Sequence, residues 1–111
     1  MGKTIELKAK DGFTLAAYRA DPAGKPKGGL VVIQEIFGVN HHIRAVADRF
    51  AALGYTSLAP ALFDRAKRGV DIGYDEASVK QGVELRAKIK LEDTLLDLAA
   101  AIAALDRKSV V

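Results

Sequence analysis

Cysteine is absent from the 111 residues of this chain. No disulfide can form within it, and no cysteine is present to act as a nucleophile. Long hydrophobic runs are also missing, since none approaches the ~20 residues that a membrane-spanning helix needs. Residues 1–10 lack the apolar core of a signal peptide. We therefore expect a cytoplasmic protein that makes no contact with a membrane.

A strong charge of one sign is missing as well. The 17 Lys and Arg residues exceed the 14 Asp and Glu residues by three, which gives the net charge of +3. Nucleic-acid binding requires basic residues gathered on one face, and only the segment 65–68 comes near that pattern. We predict no nucleic-acid partner. With 50% hydrophobic positions, residues 1–111 are long enough for one domain with a single core.

The chain opens with a pattern that predicts a β-hairpin. Residues 4–10 alternate apolar and polar side chains, and residues 13–18 resume the strand pattern. Asp11 and Gly12 between them are typical of a two-residue turn in which both residues adopt positive φ. Residues 21–29 then contain two prolines and three glycines, which predicts an irregular connection.

The segment 29–40 organises the rest of the sequence. Residues 30–33 form an apolar run with three β-branched side chains, typical of a strand buried on both faces of a parallel sheet, and we place this strand at 30–35. In open α/β sheets, ligands bind beyond the carboxyl ends of the strands. Gln34, Glu35 and the backbone of 36–40 are therefore expected at a functional site.

A helix and a second strand follow this segment. Asn40 is a suitable N-cap, and Gly54 is a suitable residue to follow a helix end. Apolar residues recur between them at helical spacing, at Ile43, Val46, Ala47, Phe50 and Leu53. Residues 55–59 then indicate a parallel strand that stops at Pro60. Strand, helix and strand form one βαβ unit, so the predicted fold class is α/β.

The second half of the chain is predicted to be mainly helical. Residues 61–75 are polar and contain glycine, which indicates a loop. Residues 77–89 indicate a helix weakened by Gly82. The last helix is predicted to pack through an apolar stripe of Leu91, Leu95, Leu98, Ile102 and Leu105. Residues 108–111 are typical of the approach to another strand.

Three motifs resemble those of the dienelactone hydrolase family in the α/β-hydrolase superfamily. They are Gln-Glu-Ile-Phe-Gly-Val-Asn at 34–40, His-Ile-Arg at 42–44 and Ala-Asp-Arg-Phe-Ala-Ala-Leu-Gly-Tyr at 47–55. The resemblance implies a carboxylic-ester or lactone hydrolase with no cofactor and no metal. It also implies that residues 1–111 are the N-terminal half of an α/β-hydrolase domain, because the family's nucleophilic cysteine, acid and histidine lie later in its sequence.

The resemblance assigns two catalytic roles. Glu35 would activate the cysteine thiol, and the Ile36 backbone N–H would be one donor of the oxyanion hole. A carboxylate directly after an apolar run is also expected to be partly desolvated, which makes it a better proton acceptor. The alternative for Glu35 is a capping or salt-bridge role with His41 or Arg44. His41 and His42 are expected to be solvated residues of the first helical turn.

Five residues are candidates for contact with the substrate. Family members grip a substrate carboxylate with arginine, and one such arginine comes from a segment that aligns with the second predicted helix, where this chain has Lys80 and Arg86. Arg65, beyond the second parallel strand, is a further candidate for binding an anion. Phe37 and Tyr74 complete the set. For each charged candidate, a solvated surface position is the alternative.

Two interpretations of the function follow. The first is an ester or lactone hydrolase whose other half is missing from this chain or is replaced by a second copy in a homo-oligomer, because strand 30–35 otherwise leaves one edge unpaired. The second is a non-catalytic α/β module for binding or assembly. In either case, residues 1–111 alone are expected to show no turnover, because they lack the nucleophile.

Overall fold

Four strands form one mixed sheet in the computed structural model, which describes the backbone of residues 2–109 and the side chains of residues 2–105. They are β1 (Lys3–Lys8), β2 (Thr14–Ala20), β3 (Gly28–Val31) and β4 (Tyr55–Pro60), in the order β1-β2-β4-β3. β2 is antiparallel to β1 and β4, whereas β3 and β4 are parallel. The helices of the described residues are α1 (His41–Ala52), α2 (Glu76–Ala87) and α3 (Leu91–Ser109), with a short 3₁₀ helix at Leu62–Arg65. The α/β fold class is confirmed.

Helices α1 and α3 cover opposite faces of the sheet. Leu15 of β2 packs in one cluster with Ala101 and Leu105 of α3. Ala20 of the same strand packs in a second cluster with Ala47 of α1. Because alternate residues of a strand point to opposite faces, these two clusters form the two layers that flank the sheet.

The hairpin is confirmed, but its turn is longer than predicted. Lys8 pairs with Thr14, so five residues form the loop between β1 and β2. The Ala9 N–H donates to the Phe13 carbonyl at 2.8 Å, and Gly12 alone in this loop has a positive φ, of +92°. A two-residue turn with Asp11 at positive φ is therefore wrong. The reason is that the Asp11 carboxylate instead accepts the Phe13 N–H within a wider loop.

β3 is shorter and less buried than predicted. It ends at Val31, and one further hydrogen bond joins the Val32 N–H to the Leu58 carbonyl at 2.9 Å. Among the strands of residues 2–109, β3 pairs with β4 on one side only, which confirms the predicted open edge. A strand at an edge keeps contact with solvent, and Ile33 is 57% exposed. Burial of this strand on both faces is therefore wrong for these residues.

Helix α1 begins and ends as predicted. The Asn40 side chain accepts a hydrogen bond from the Ile43 N–H at 3.1 Å and so caps the helix. Gly54 follows the C-cap residue Leu53 and has a φ of +106°, which favours glycine. This helix connects β3 directly to β4, so the Asn40 cap fixes where the loop after β3 ends.

Helix α3 packs through a face that includes Leu105 of the predicted stripe but not three of its other residues. Three residues of the predicted stripe are exposed, namely Leu91 (74%), Leu95 (56%) and Ile102 (51%). The buried face contains Asp97, Ala101 and Leu105. Small residues explain this choice, because Ala101 permits a close approach and a Cβ on Gly29 of β3 would lie 3.1 Å from Leu105 Cβ. Asp97 is buried in an ion pair with Arg65. A hydrophobic periodicity cannot identify this position as buried, because it treats aspartate as a surface residue.

The end of α3 also corrects a prediction. Lys108 and Ser109 continue the helix and do not begin a strand, since no glycine or proline interrupts residues 91–109. Val110 and Val111 lie outside the described residues. Within residues 2–109, the helices are too short or too polar to span a bilayer.

Candidate active site

A cleft of about 570 Å³ opens beyond the carboxyl ends of β3 and β4. It is bounded by the loop after β3, the 3₁₀ helix, the end of α2 and the start of α3. Five residues at which a site was expected line it, namely Gln34, Glu35, Ile36, Phe37 and Arg86. The rule that places ligands beyond the ends of parallel strands therefore located the cleft correctly.

Gln34 ties the loop after β3 to the segment after β4. Its Oε1 accepts a hydrogen bond from the Leu62 N–H at 2.9 Å, and its Nε2 donates to the Glu35 carbonyl at 3.1 Å. Leu62 is the first residue of the 3₁₀ helix that follows β4. One side-chain amide thus joins the carboxyl ends of the two parallel strands at the edge of the cleft.

A glycine turn completes this loop. The Gly38 N–H donates to the Glu35 carbonyl at 3.3 Å, and Gly38 has a φ of +82°. A Cβ at this position would lie 2.1 Å from the Val70 carbonyl oxygen, so both the conformation and the packing require glycine. The Ile72 N–H also donates to the Phe37 carbonyl at 3.1 Å. These contacts hold residues 35–38 against residues 70–72.

Glu35 lies at the exposed rim of the cleft. The expected desolvation of its carboxylate is wrong for this chain, because β3 ends before Glu35 and the loop carries the side chain into solvent. The alternative salt bridge is also not formed, since Arg44 pairs with Asp71 at 3.2 Å and exposed His41 has no ion pair among the described side chains. Within the described residues, the carboxylate of Glu35 has no hydrogen-bonding partner.

The backbone of Ile36 is held by α2. None of the hydrogen bonds among residues 2–109 uses the Ile36 N–H as its donor. Gly82 of α2 is buried, and a Cβ there would lie 2.1 Å from the Ile36 carbonyl oxygen. Gly82 was predicted only to weaken this helix, but its missing side chain lets α2 approach the loop closely. The predicted helix at 77–89 corresponds to α2.

Arg65, which was predicted as a substrate contact, is a structural residue that does not line the cleft. Its guanidinium donates to Asp11 at 2.8 and 3.1 Å and to Asp97 at 3.0 and 2.9 Å, and it lies over the Phe13 ring at 4.4 Å. We call these four residues the Arg65 cluster. Hydrogen bonds with the two aspartates raise the pKa of Arg65, and the bond with Arg65 lowers the pKa of Asp11. Both sides of the guanidinium are therefore occupied within the fold.

Tyr74 and Lys80 do not line the cleft. The Tyr74 hydroxyl accepts a hydrogen bond from Asn40 Nδ2 at 2.9 Å, and its ring packs edge to face with Phe37 at a centroid distance of 4.4 Å. Tyr74 therefore supports a lining residue from behind. Lys80 is exposed on α2, on a different side from Arg86, because their spacing is far from a whole number of helical turns.

The cleft is mainly apolar, with one charged residue of each sign in its lining. Buried Leu62 and Phe63 of the 3₁₀ helix contribute to its wall, and sequence reasoning missed both as site residues. Their position just after Pro60, beyond the end of β4, was the signal that could have identified them. No group of three potential metal ligands occurs among the described residues. The arrangement suits a small, largely apolar ligand with one polar group.

Comparison with known proteins extends these observations. The profile of the Dienelactone hydrolase family matches residues 15–111. A Synechocystis protein with the name "Putative carboxymethylenebutenolidase" is 41% identical over 107 residues, which cover 90% of this chain and 44% of that protein. The Carboxymethylenebutenolidase of Pseudomonas putida is 33% identical over 99 residues, which cover 88% of this chain and 42% of that enzyme.

A solved structure gives the same result for the fold. The "Putative Dienelactone Hydrolase" of Klebsiella pneumoniae matches with a TM-score of 0.73 and 30% identity, over 95% of this chain and 45% of that one. The chain thus spans less than half the length of each of these three relatives. The predicted fold, a part of an α/β hydrolase, is confirmed.

Proposed function

Because the chain belongs to the dienelactone hydrolase family, we propose that it forms the oxyanion-binding half of an enzyme that hydrolyses carboxylic esters or lactones. The observation that carries this proposal is the position of Glu35 and Ile36. The carboxylate of Glu35 and the N–H of Ile36 both lack partners among the described residues, and both residues line the same cleft. The names of the relatives support the choice of an ester or lactone as substrate.

The proposed reaction needs a cysteine from outside these 111 residues. Glu35 accepts the thiol proton, and the resulting thiolate forms an S–C bond with the substrate carbonyl carbon. The carbonyl π electrons move to oxygen, and the Ile36 N–H donates a hydrogen bond to this oxyanion. The oxyanion electrons re-form the C=O bond as the ester C–O bond breaks, and the leaving oxygen takes the proton that Glu35 accepted from the thiol. Water attacks the thioester, which releases the acid and restores the thiol.

The lining of the cleft supports a substrate that combines apolar and anionic parts. Leu62, Phe63 and Phe37 provide apolar surface, and Arg86 provides the single positive charge of the lining. Arg86 is exposed, so its guanidinium is available for a carboxylate of the substrate. In this proposal, Arg86 takes the role for which Lys80 was the other candidate.

We also propose that a second half of the same fold covers the open side of this chain. The free edge of β3 has no strand partner within residues 2–109, and the side chains of Leu95 and Ile102 on α3 are exposed. The length of the relatives favours further strands of a longer protein over a second copy of this chain. A cytoplasmic location remains a prediction.

Sedimentation of the 111-residue chain tests this part of the proposal. We expect self-association and melting that depends on concentration, because the free edge of β3 and the exposed side chains of Leu95 and Ile102 need a partner. Addition of the remaining half of the protein should convert these species into a single complex. A monomer at micromolar concentration with a cooperative melt would contradict the proposal.

The catalytic role is tested by removal of one N–H. In the protein extended to include its cysteine, Ile36→Pro removes the donor, whereas the control Ile36→Val keeps the donor and alters only the side chain. Loss of one oxyanion donor is expected to lower kcat by about 10²- to 10³-fold. Thermal melting establishes that both variants fold. Full activity of a folded Ile36→Pro protein, or no hydrolysis of any ester or lactone by the parent protein, would overturn the proposed function.

A further inference from the structure

We propose that Gln34 is a positioning residue that orients the oxyanion donor, an inference that rests on the proposed function. The Glu35 carbonyl and the Ile36 N–H belong to one planar trans peptide unit, so they point in opposite directions. Gln34 Nε2 donates to that carbonyl at 3.1 Å. A contact that fixes the carbonyl therefore fixes the direction of the N–H as well.

The anchor of Gln34 lies outside the loop that it orients. Its Oε1 accepts the Leu62 N–H at 2.9 Å, and Leu62 is buried directly after β4. The second hydrogen bond to the Glu35 carbonyl comes from Gly38, at 3.3 Å, within the same turn. A bond inside the turn moves with the turn. Among the described residues, Gln34 is the side chain that links the Glu35–Ile36 peptide to the segment after β4, at buried Leu62.

The next peptide unit is held from the other side. Gly82 of α2 leaves room for the Ile36 carbonyl oxygen, which would lie 2.1 Å from a Cβ at this position. The Glu35 carbonyl is therefore linked through the Gln34 amide to the segment after β4, whereas the Ile36 carbonyl lies against helix α2. Of these two contacts, only the one at the Glu35 carbonyl is a hydrogen bond to the peptide unit that carries the Ile36 N–H. Gln34 is thus the side chain whose removal frees that peptide to rotate.

This arrangement predicts a specific kinetic effect. An oxyanion donor that is oriented before the substrate arrives stabilises the transition state without a cost of reorganisation. The hydrogen bond from this donor to the substrate carbonyl is weaker before attack, because negative charge develops on the carbonyl oxygen only during attack. Loss of the Gln34 amide should therefore lower kcat and leave KM nearly unchanged.

Substitution by methionine tests the role of the amide. Gln34→Met keeps the length of the side chain but removes both hydrogen bonds. Gln81→Met is the matched control, because Gln81 lies on α2, outside the lining of the cleft. In the protein that carries its cysteine, we expect Gln34→Met to lower kcat by about tenfold or more, with KM within about twofold. The control should retain both values.

Two further measurements separate positioning from damage to the site. Alkylation of the cysteine by iodoacetamide forms no oxyanion, so its rate should be the same in Gln34→Met and in the parent. The ¹⁵N–¹H resonance of Ile36 should shift or broaden in Gln34→Met and remain in place in Gln81→Met, because only the former frees the peptide.

Each result decides one question. An unchanged kcat, an equal loss in hydrolysis and alkylation, or an unchanged Ile36 resonance would overturn the role of Gln34. A parent protein without hydrolase activity would instead overturn the proposed function. The Ile36 resonance would still show whether Gln34 holds the peptide.

Discussion

The Arg65 cluster and the loop at residues 34–38 place polar groups beyond the ends of neighbouring parallel strands, but they use them in opposite ways. Arg65 follows β4 and has carboxylates on both sides of its guanidinium. Glu35 follows β3, and its carboxylate has no hydrogen-bonding partner among the described residues. A charged group whose partners are all internal stabilises the fold. A charged group without partners is free to act on a substrate.

The largest expected effect is on stability, at the buried side of the Arg65 cluster. Asp97 is 1% exposed and binds Arg65 through both oxygens, so Asp97→Ala leaves the Arg65 charge partly buried without its buried partner. We expect a loss of about 3 kcal/mol in the free energy of unfolding, measured by urea denaturation.

Asp93→Ala is the matched control for this substitution. The Asp93 carboxylate lies 4.0 Å from the Arg65 guanidinium, and its side chain is 32% exposed. Such a partly exposed pair contributes about 0–1 kcal/mol. Equal losses for the two variants would show that the cluster does not depend on the buried carboxylate and would remove one side of the comparison.

The second effect concerns activity and not stability. Glu35→Gln in the protein that carries its cysteine should slow thiol alkylation and ester hydrolysis at neutral pH, by roughly 10²-fold for hydrolysis, because the thiol loses its proton acceptor. Since Glu35 is exposed and unpaired, the free energy of unfolding should change by less than about 0.5 kcal/mol. A large loss of stability with unchanged alkylation would make Glu35 a structural residue like Arg65.

The third effect is on the turn that holds the loop. Gly38 and Gly69 both have positive φ, of +82° and +72°, but a Cβ would contact the Val70 carbonyl at Gly38 and nothing within 4 Å at Gly69. An alanine at positive φ costs roughly 1–2 kcal/mol at either site. Gly38→Ala adds a steric clash, so it should lower the melting temperature more than Gly69→Ala. Equal shifts would mean that the 70–72 segment moves away easily.

Much of the fold was predictable because it depends on local signals. The Asn40 cap, the Gly54 helix end and the parallel strand after it were all predicted from nearby residues and are confirmed. The position of the cleft was also predictable, because ligand sites in α/β sheets follow from the topology of the sheet. The loop motif at 34–40 supplied four of the five predicted residues that line the cleft, namely Gln34, Glu35, Ile36 and Phe37.

Several of the errors involve contacts between residues far apart in the sequence. The role of Arg65 depends on Asp11 and Asp97, which come from the hairpin loop and from α3. The same ion pair turns the face of α3 that carries Asp97 toward the sheet and leaves Leu95 exposed. Hydrophobic periodicity treats an aspartate as a surface residue, so it could not identify this face. The contact between Gly82 and Ile36 is equally non-local.

The smallest expected effect is the pH dependence that Asp11 gives to the Arg65 cluster. Its hydrogen bond with Arg65 lowers the pKa of Asp11 below the ordinary value of 3.8. A carboxylate with a lower pKa in the folded state contributes stability above its unfolded pKa, and this contribution is lost as the pH falls through the folded pKa. The difference in melting temperature between the parent and Asp11→Asn should therefore be constant above about pH 5 and should shrink toward about pH 3.

This comparison isolates one carboxylate, because every other acidic group is common to both proteins. Asp11 is exposed, so added salt should reduce the same difference at neutral pH. If the difference persists unchanged at about pH 3, the hydrogen bonds of Asp11 contribute without its charge. In that case the cluster depends on the Arg65–Asp97 pair alone, and the contrast with Glu35 rests on burial and not on the number of charged partners.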